Sequence, residues 1–105
     1  MTLSQSSVQK IRTYIGFAFK AGKCVLGVDN IVKIKKPMLI LYSTSLSQNS
    51  IKKAQESAAQ NNHEFIGIQN FNEITPREGC KALGVKDKNL ASAIIEQLNN
   101  ENTTK

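Results

Sequence analysis

The chain has 105 residues, 40 % of them hydrophobic and 21 % charged, and carries a net charge of +6. That length holds one domain with a core of its own and excludes a two-domain arrangement. No apolar run reaches the roughly 18–20 residues of a membrane span, and the N-terminal MTLSQSSVQK lacks a signal-peptide pattern, so the expected setting is cytoplasmic with no membrane partner.

In chain order, residues 8–21 read as a helix, because Val8, Ile11, Ile15, Ala18 and Phe19 form one stripe at helical spacing. Gly22 suits the position just past a helix, with Lys20 and Lys23 near the carboxyl end, where cations are favoured. Cys24-Val25-Leu26 reads as a small strand ended by Gly27. A second helix is predicted over 28–35, with Ile31, Val32 and Ile34 inward and Pro37 as its block.

Residues 38–42, MLILY, are nearly continuously apolar, as a strand buried on both faces requires. After a polar loop at 43–47, a helix is predicted from Asn49 or Ser50 to about Asn61, with Ile51, Ala54 and Ala58 inward. EFIGI, residues 64–68, is the next strand. Thr75-Pro76 reads as N-cap and first residue of a helix over 74–83, closed by Gly84. Residues 85–89 read as a charged loop and 90–95 as a last strand, and the Asn/Glu/Thr-rich end from Gln97 is expected to fray. The alternation predicts the α/β class, as a three-layer α/β/α sandwich with a small mixed four-stranded sheet. Its expected extent is one domain over 1–98, followed by a flexible polar tail at 99–105.

The charge is unevenly placed. Residues 1–36 hold Lys10, Arg12, Lys20, Lys23, Lys33, Lys35 and Lys36 against Asp29 alone, which gives the whole +6. Residues 37–105 hold seven bases and seven acids, which cancel. Such asymmetry suits a polyanion-facing surface, with nucleic acid the commonest partner, or else a solvated lysine face with none.

Enzyme signatures are missing: there is no dinucleotide-binding glycine motif, P-loop or nucleophile elbow. Two cysteines, Cys24 and Cys80, and one histidine, His63, are too few for a zinc site or a disulfide scaffold. A thiol nucleophile would have to be assembled from them, whereas His63 at a helix end reads as an exposed, neutral residue. The expectation is a non-enzyme with no catalytic residues, no metal and no cofactor.

The segment around Asp29-Asn30 is the better candidate site. Gly27 and Val28 would allow close backbone approach at a helix start, and Lys23, Lys33 and Lys36 would neutralise phosphates without reading sequence. A carboxylate repels a phosphate but accepts hydrogen bonds from base N–H groups, and an amide both donates and accepts. Such edges are exposed in distorted, non-helical RNA. The competing reading is that Asp29 only caps the helix or complements its dipole, at about 0.5–1 kcal/mol.

The order Ala21-Gly22-Lys23, then Leu26-Gly27-Val28-Asp29-Asn30-Ile31-Val32-Lys33, then MLILYSTS and REGCKALGVKDKNLASAII resembles the L-seven-Ae family of kink-turn-binding ribosomal proteins. The style is that of its small bacterial (YlxQ-like) members. The resemblance runs over about residues 9–96. It implies an α/β/α sandwich that binds RNA bent sharply at tandem sheared G·A pairs. In that family a Gly-x-Asn-Glu-x-x-Lys stretch at the start of the second helix touches the guanines and flanking phosphates. Gly27 and Lys33 match it, while Asp29 stands where the family has Asn and Asn30 where it has Glu. The family's second RNA-facing loop, before the last strand, is assigned to Val85, Lys86 and Asp87. The resemblance implies a ribosomal-type RNA-binding monomer. The alternative is a protein-interaction module on the same fold, with a basic surface facing nucleic acid or the ribosome without specificity.

Overall fold

A computed structural model describes residues 1–36 and 38–103. The elements are α1 (Gln5–Lys20), β1 (Cys24–Leu26), α2 (Val28–Ile31), β2 (Leu39–Ser43), α3 (Gln48–Asn61), β3 (Glu64–Ile68), a 3-10 turn (Phe71–Glu73), β4 (Ala82–Val85) and α4 (Lys88–Thr103). The strands form one sheet in the order β1-β4-β2-β3. β2 and β3 run parallel, whereas β4 is antiparallel to both β1 and β2. The predicted mixed four-stranded sheet is therefore present.

Alternation along the strands sorts the core into two layers. Leu39 and Leu41 of β2 join Val8, Ile11, Ile15 and Ala18 of α1 and Ile94 and Leu98 of α4 on one face. Ile40 joins Ile31 of α2 and Ala58 of α3 on the other, with Val25, Tyr42 and Phe65 packed against them. The Tyr42 and Phe65 rings stack with centroids 4.4 Å apart. Two helices on each face of the sheet make the three-layer sandwich.

Local chemistry fixes the helix ends. The Ser4 and Ser47 hydroxyls accept from the Ser7 and Ser50 amides and so cap α1 and α3. Gly22, at φ 72°, closes α1, and the Lys23 amide reaches back to the Ala18 carbonyl. α1 begins three residues before the predicted start because Ser4 supplies the cap.

Four expectations fail. α2 ends at Ile31 rather than near Lys35. Lys33 and Ile34 bond back to the carbonyls three residues before them, and the Ile34 carbonyl faces His63 Nε2 at 3.2 Å instead of continuing a helix. The block assigned to Pro37 lies outside the described residues.

The helix expected over 74–83 is absent. Its first part is an irregular segment, and its last residues open β4. Gly84 does not close a helix but sits within β4, where an added Cβ would lie 2.7 Å from Met38 Sδ.

The strand expected over 90–95 is the first half of α4. The Leu90 amide donates to Asp87 Oδ1, and Ile94 and Leu98 are buried one helical turn apart. Where a tail is predicted from residue 99, α4 continues to Thr103, and the Ser4 amide donates to the Glu101 carboxylate. The last two residues lie outside the described ones.

Candidate nucleic-acid interface

The turn from β1 into α2 depends on Gly27. Its φ of 87° and ψ of 147° belong to a region that side chains other than hydrogen avoid. That conformation lets its amide donate to the Ala82 carbonyl at 2.9 Å while its carbonyl accepts from Ile31 at 3.0 Å. Val28 is half-buried against the second core layer, which leaves Asp29 and Asn30 exposed at the surface.

Asp29 does not cap the helix. Its carboxylate lies 3.2 Å from Lys53 Nζ of α3, in an ion pair open to solvent on both sides. Such a pair contributes only about 0–1 kcal/mol, so exchanging it for another donor costs little. Asn30 commits one amide hydrogen to the Leu26 carbonyl at 2.9 Å, which fixes its side chain over the turn. α2 is one turn long, too short for a substantial dipole, so side chains and the Gly27 backbone define this surface.

Gly27, Val28 and Asp29 form one wall of a crevice of about 340 Å³. Gly79, Cys80, Lys81 and Ala82 form another, with Leu46 and Ser50 closing it. The Gly79–Lys81 stretch is held by a left-handed Gly79 (φ 85°), by the Cys80 amide on the Arg77 carbonyl, and by the Cys80 thiol on the Ala82 carbonyl. The Arg77 guanidinium stands 6.0 Å over the Phe19 ring and ties the loop to α1. Sequence reasoning placed these loop residues inside a helix and so missed them.

The residues assigned to the second RNA-facing loop lie elsewhere. The last strand is β4, so the loop before it is residues 74–81. Val85 is fully buried at the far end of that strand. The Lys86 amide donates to the Lys23 carbonyl at 2.7 Å, and Asp87 caps α4. The register pairs Cys24 and Leu39 with Val85, while Gly27 bonds to Ala82. Lys23 and Lys86 therefore sit at one end of the sheet and Gly27 at the other. Lys33 and Lys36 accompany Lys23 and Lys86 in a separate groove of about 570 Å³, joined by Lys35.

The residues weighed for catalysis are engaged otherwise. His63 is buried rather than exposed: its Nδ1 accepts from the Met38 amide at 3.1 Å, and its Nε2 faces the Ile34 carbonyl. Burial, with the Cys80 sulfur nearby, pushes the Cys24 thiol up to about 11, so at neutral pH it is a protonated, weak nucleophile. Among the described residues, no group of three or more His, Cys, Asp or Glu side chains is placed to hold a metal ion. No helix among them is long and apolar enough to cross a membrane.

The chain is thus an α/β/α sandwich with a crevice at one end of its sheet and a lysine groove at the other. No family model and no curated protein matches it. A solved structure, that of a protein of unknown function from Bacillus halodurans C, is similar with a TM-score of 0.70 and 16 % identity. The match covers 85 % of this chain and 96 % of that one, which shows the shared fold.

Proposed function

We propose that this protein is a non-enzymatic, ribosomal-type RNA-binding protein of the L-seven-Ae kind, acting as a cytoplasmic monomer on kink-turn-like structured RNA. The observation that carries this reading is the crevice in which Gly27, Val28 and Asp29 face Gly79, Cys80 and Lys81. The family resemblance calls for two RNA-facing segments, the start of the second helix and the loop before the last strand. With the last strand at β4, those two segments are neighbours in space. Gly27 allows the nucleic-acid backbone to come close. Asp29 exchanges Lys53 for the N–H groups of an exposed base edge, and Asn30 presents its amide beside it. Lys81, on the facing wall, neutralises a flanking phosphate.

Asp29→Ala is expected to narrow the preference for a kink-turn RNA over the same RNA with its G·A pairs replaced by about 10- to 100-fold. That follows from losing one or two hydrogen bonds to a charged acceptor, about 1.5–3 kcal/mol. Thermal stability should hardly change, since the ion pair it breaks is exposed. Titration of both RNAs with both proteins checks this, and an unchanged ratio means that Asp29 reads no base. The exposed Phe17 and Phe19 on α1 favour a second reading, a protein-interaction module, which predicts no preference between the RNAs in either protein.

A further inference from the structure

Five lysines, Lys23, Lys33, Lys35, Lys36 and Lys86, line the groove at the end of the sheet opposite the crevice, together with Ile34. They come from three chain segments that separate interactions hold together. The Lys86 amide on the Lys23 carbonyl joins the first and third. His63 holds the second, bonding the Ile34 carbonyl with one ring nitrogen and the Met38 amide with the other. Among the described residues none of the five is in an ion pair, and the nearest acid in sequence, Asp87, is turned to the Leu90 amide. Five like charges converging on a fixed backbone, none of them in an ion pair among the described residues, repel one another, and a bound polyanion relieves that repulsion.

We infer that this groove is a second phosphate-binding track, which takes the backbone of an RNA stem flanking the segment read at the crevice. The inference rests on the RNA-binding reading above and adds the place where the stem lies. Four strand steps from Lys23 to Gly27 span about 13 Å, so no single phosphate serves both ends. Binding is therefore bipartite: the crevice supplies discrimination and the groove supplies affinity that depends on salt and on the presence of the stem.

The test is a series of titrations across salt concentrations with the full chain and Lys35→Gln/Lys86→Gln, on a kink-turn RNA with a flanking stem. The double variant should flatten the slope of log K against log salt by about 1.4–1.8 units, at about 0.7–0.9 for each phosphate no longer neutralised. Lys35→Arg/Lys86→Arg should restore the slope, which separates charge from any change in folding. A slope unchanged in the glutamine variant, or one not restored by arginine, overturns the proposal. If wild-type protein binds the kink-turn RNA and its G·A-replaced control equally while the slope still falls, the crevice reading fails and the groove stands. If polyglutamate displaces the RNA at equal charge concentration, the groove is a site for an acidic protein and the proposal fails.

Discussion

Phe71→Ala is expected to cost about 3–5 kcal/mol of stability, more than any other substitution proposed for this chain, because it empties a fully buried aromatic site. Phe71 does more than fill space. It opens the 3-10 turn after β3, and its carbonyl accepts from the Ile74 and Thr75 amides, which sets the course of residues 74–81. Its side chain packs in the first core layer together with Ile74, Leu3 and Ile68. A domain of this size holds only about 5–15 kcal/mol in total, so the variant should retain a small margin. Urea unfolding measures the loss directly. Phe71→Leu, which keeps most of the volume, should recover more than half of it. If the loop forms one wall of an RNA crevice, Phe71→Ala should also lower the preference for kink-turn RNA under conditions where it remains folded.

His63→Leu is the second. It removes the partner of the Met38 amide and of the Ile34 carbonyl together. The buried Met38 amide left unpaired costs about 1–3 kcal/mol and the part-buried Ile34 carbonyl about 1 kcal/mol, so a loss of about 2–4 kcal/mol is expected in urea unfolding. The same change releases the backbone that carries Lys33, Lys35 and Lys36, and RNA affinity at low salt should fall in step. A loss below about 1 kcal/mol would mean that water replaces the ring and that the lysine segment does not depend on it.

What the sequence made legible, and what it hid, follows from how each element earns its burial. β2 and β3 were readable because MLILY and EFIGI are apolar runs bounded by turn-forming residues, and both emerge at the expected places. α1 and α3 were readable from helical spacing, whereas their serine caps, Ser4 and Ser47, were not recognised and their starts were placed late. Residues 74–85 misled because Thr75-Pro76 and Gly84 together imitate the two ends of a helix. Only the tertiary contact of Gly84 with Met38 reveals that this glycine belongs to a central strand. Residues 90–95 misled because Ala91, Ile94 and Ile95 look like a strand when the polar residues after them are taken as a tail. Leu90, Ile94 and Leu98, read together, show the helical period. The misplaced last strand carried the second half of the candidate site with it. The loop before β4 is 74–81, and no local signal marked Gly79 or Lys81 as surface residues. Gly27, Asp29 and Asn30, by contrast, were identifiable from the sequence as a glycine-led turn with exposed polar groups, and the fold leaves them so. The two ends of the sheet could not be told apart in one dimension. Lys23 and Lys86 meet only through the pairing of β1 with β4.

The most direct measurement is the binding of the intact chain to three RNAs of equal length at one salt concentration: a kink-turn, the same RNA with its G·A pairs replaced, and a plain duplex. Reading of base edges at the Gly27–Asn30 turn predicts that the kink-turn binds at least about tenfold more tightly than either control, a difference of about 1.4 kcal/mol. Equal binding of all three, weakening together as salt rises, would contradict it and leave only a basic surface.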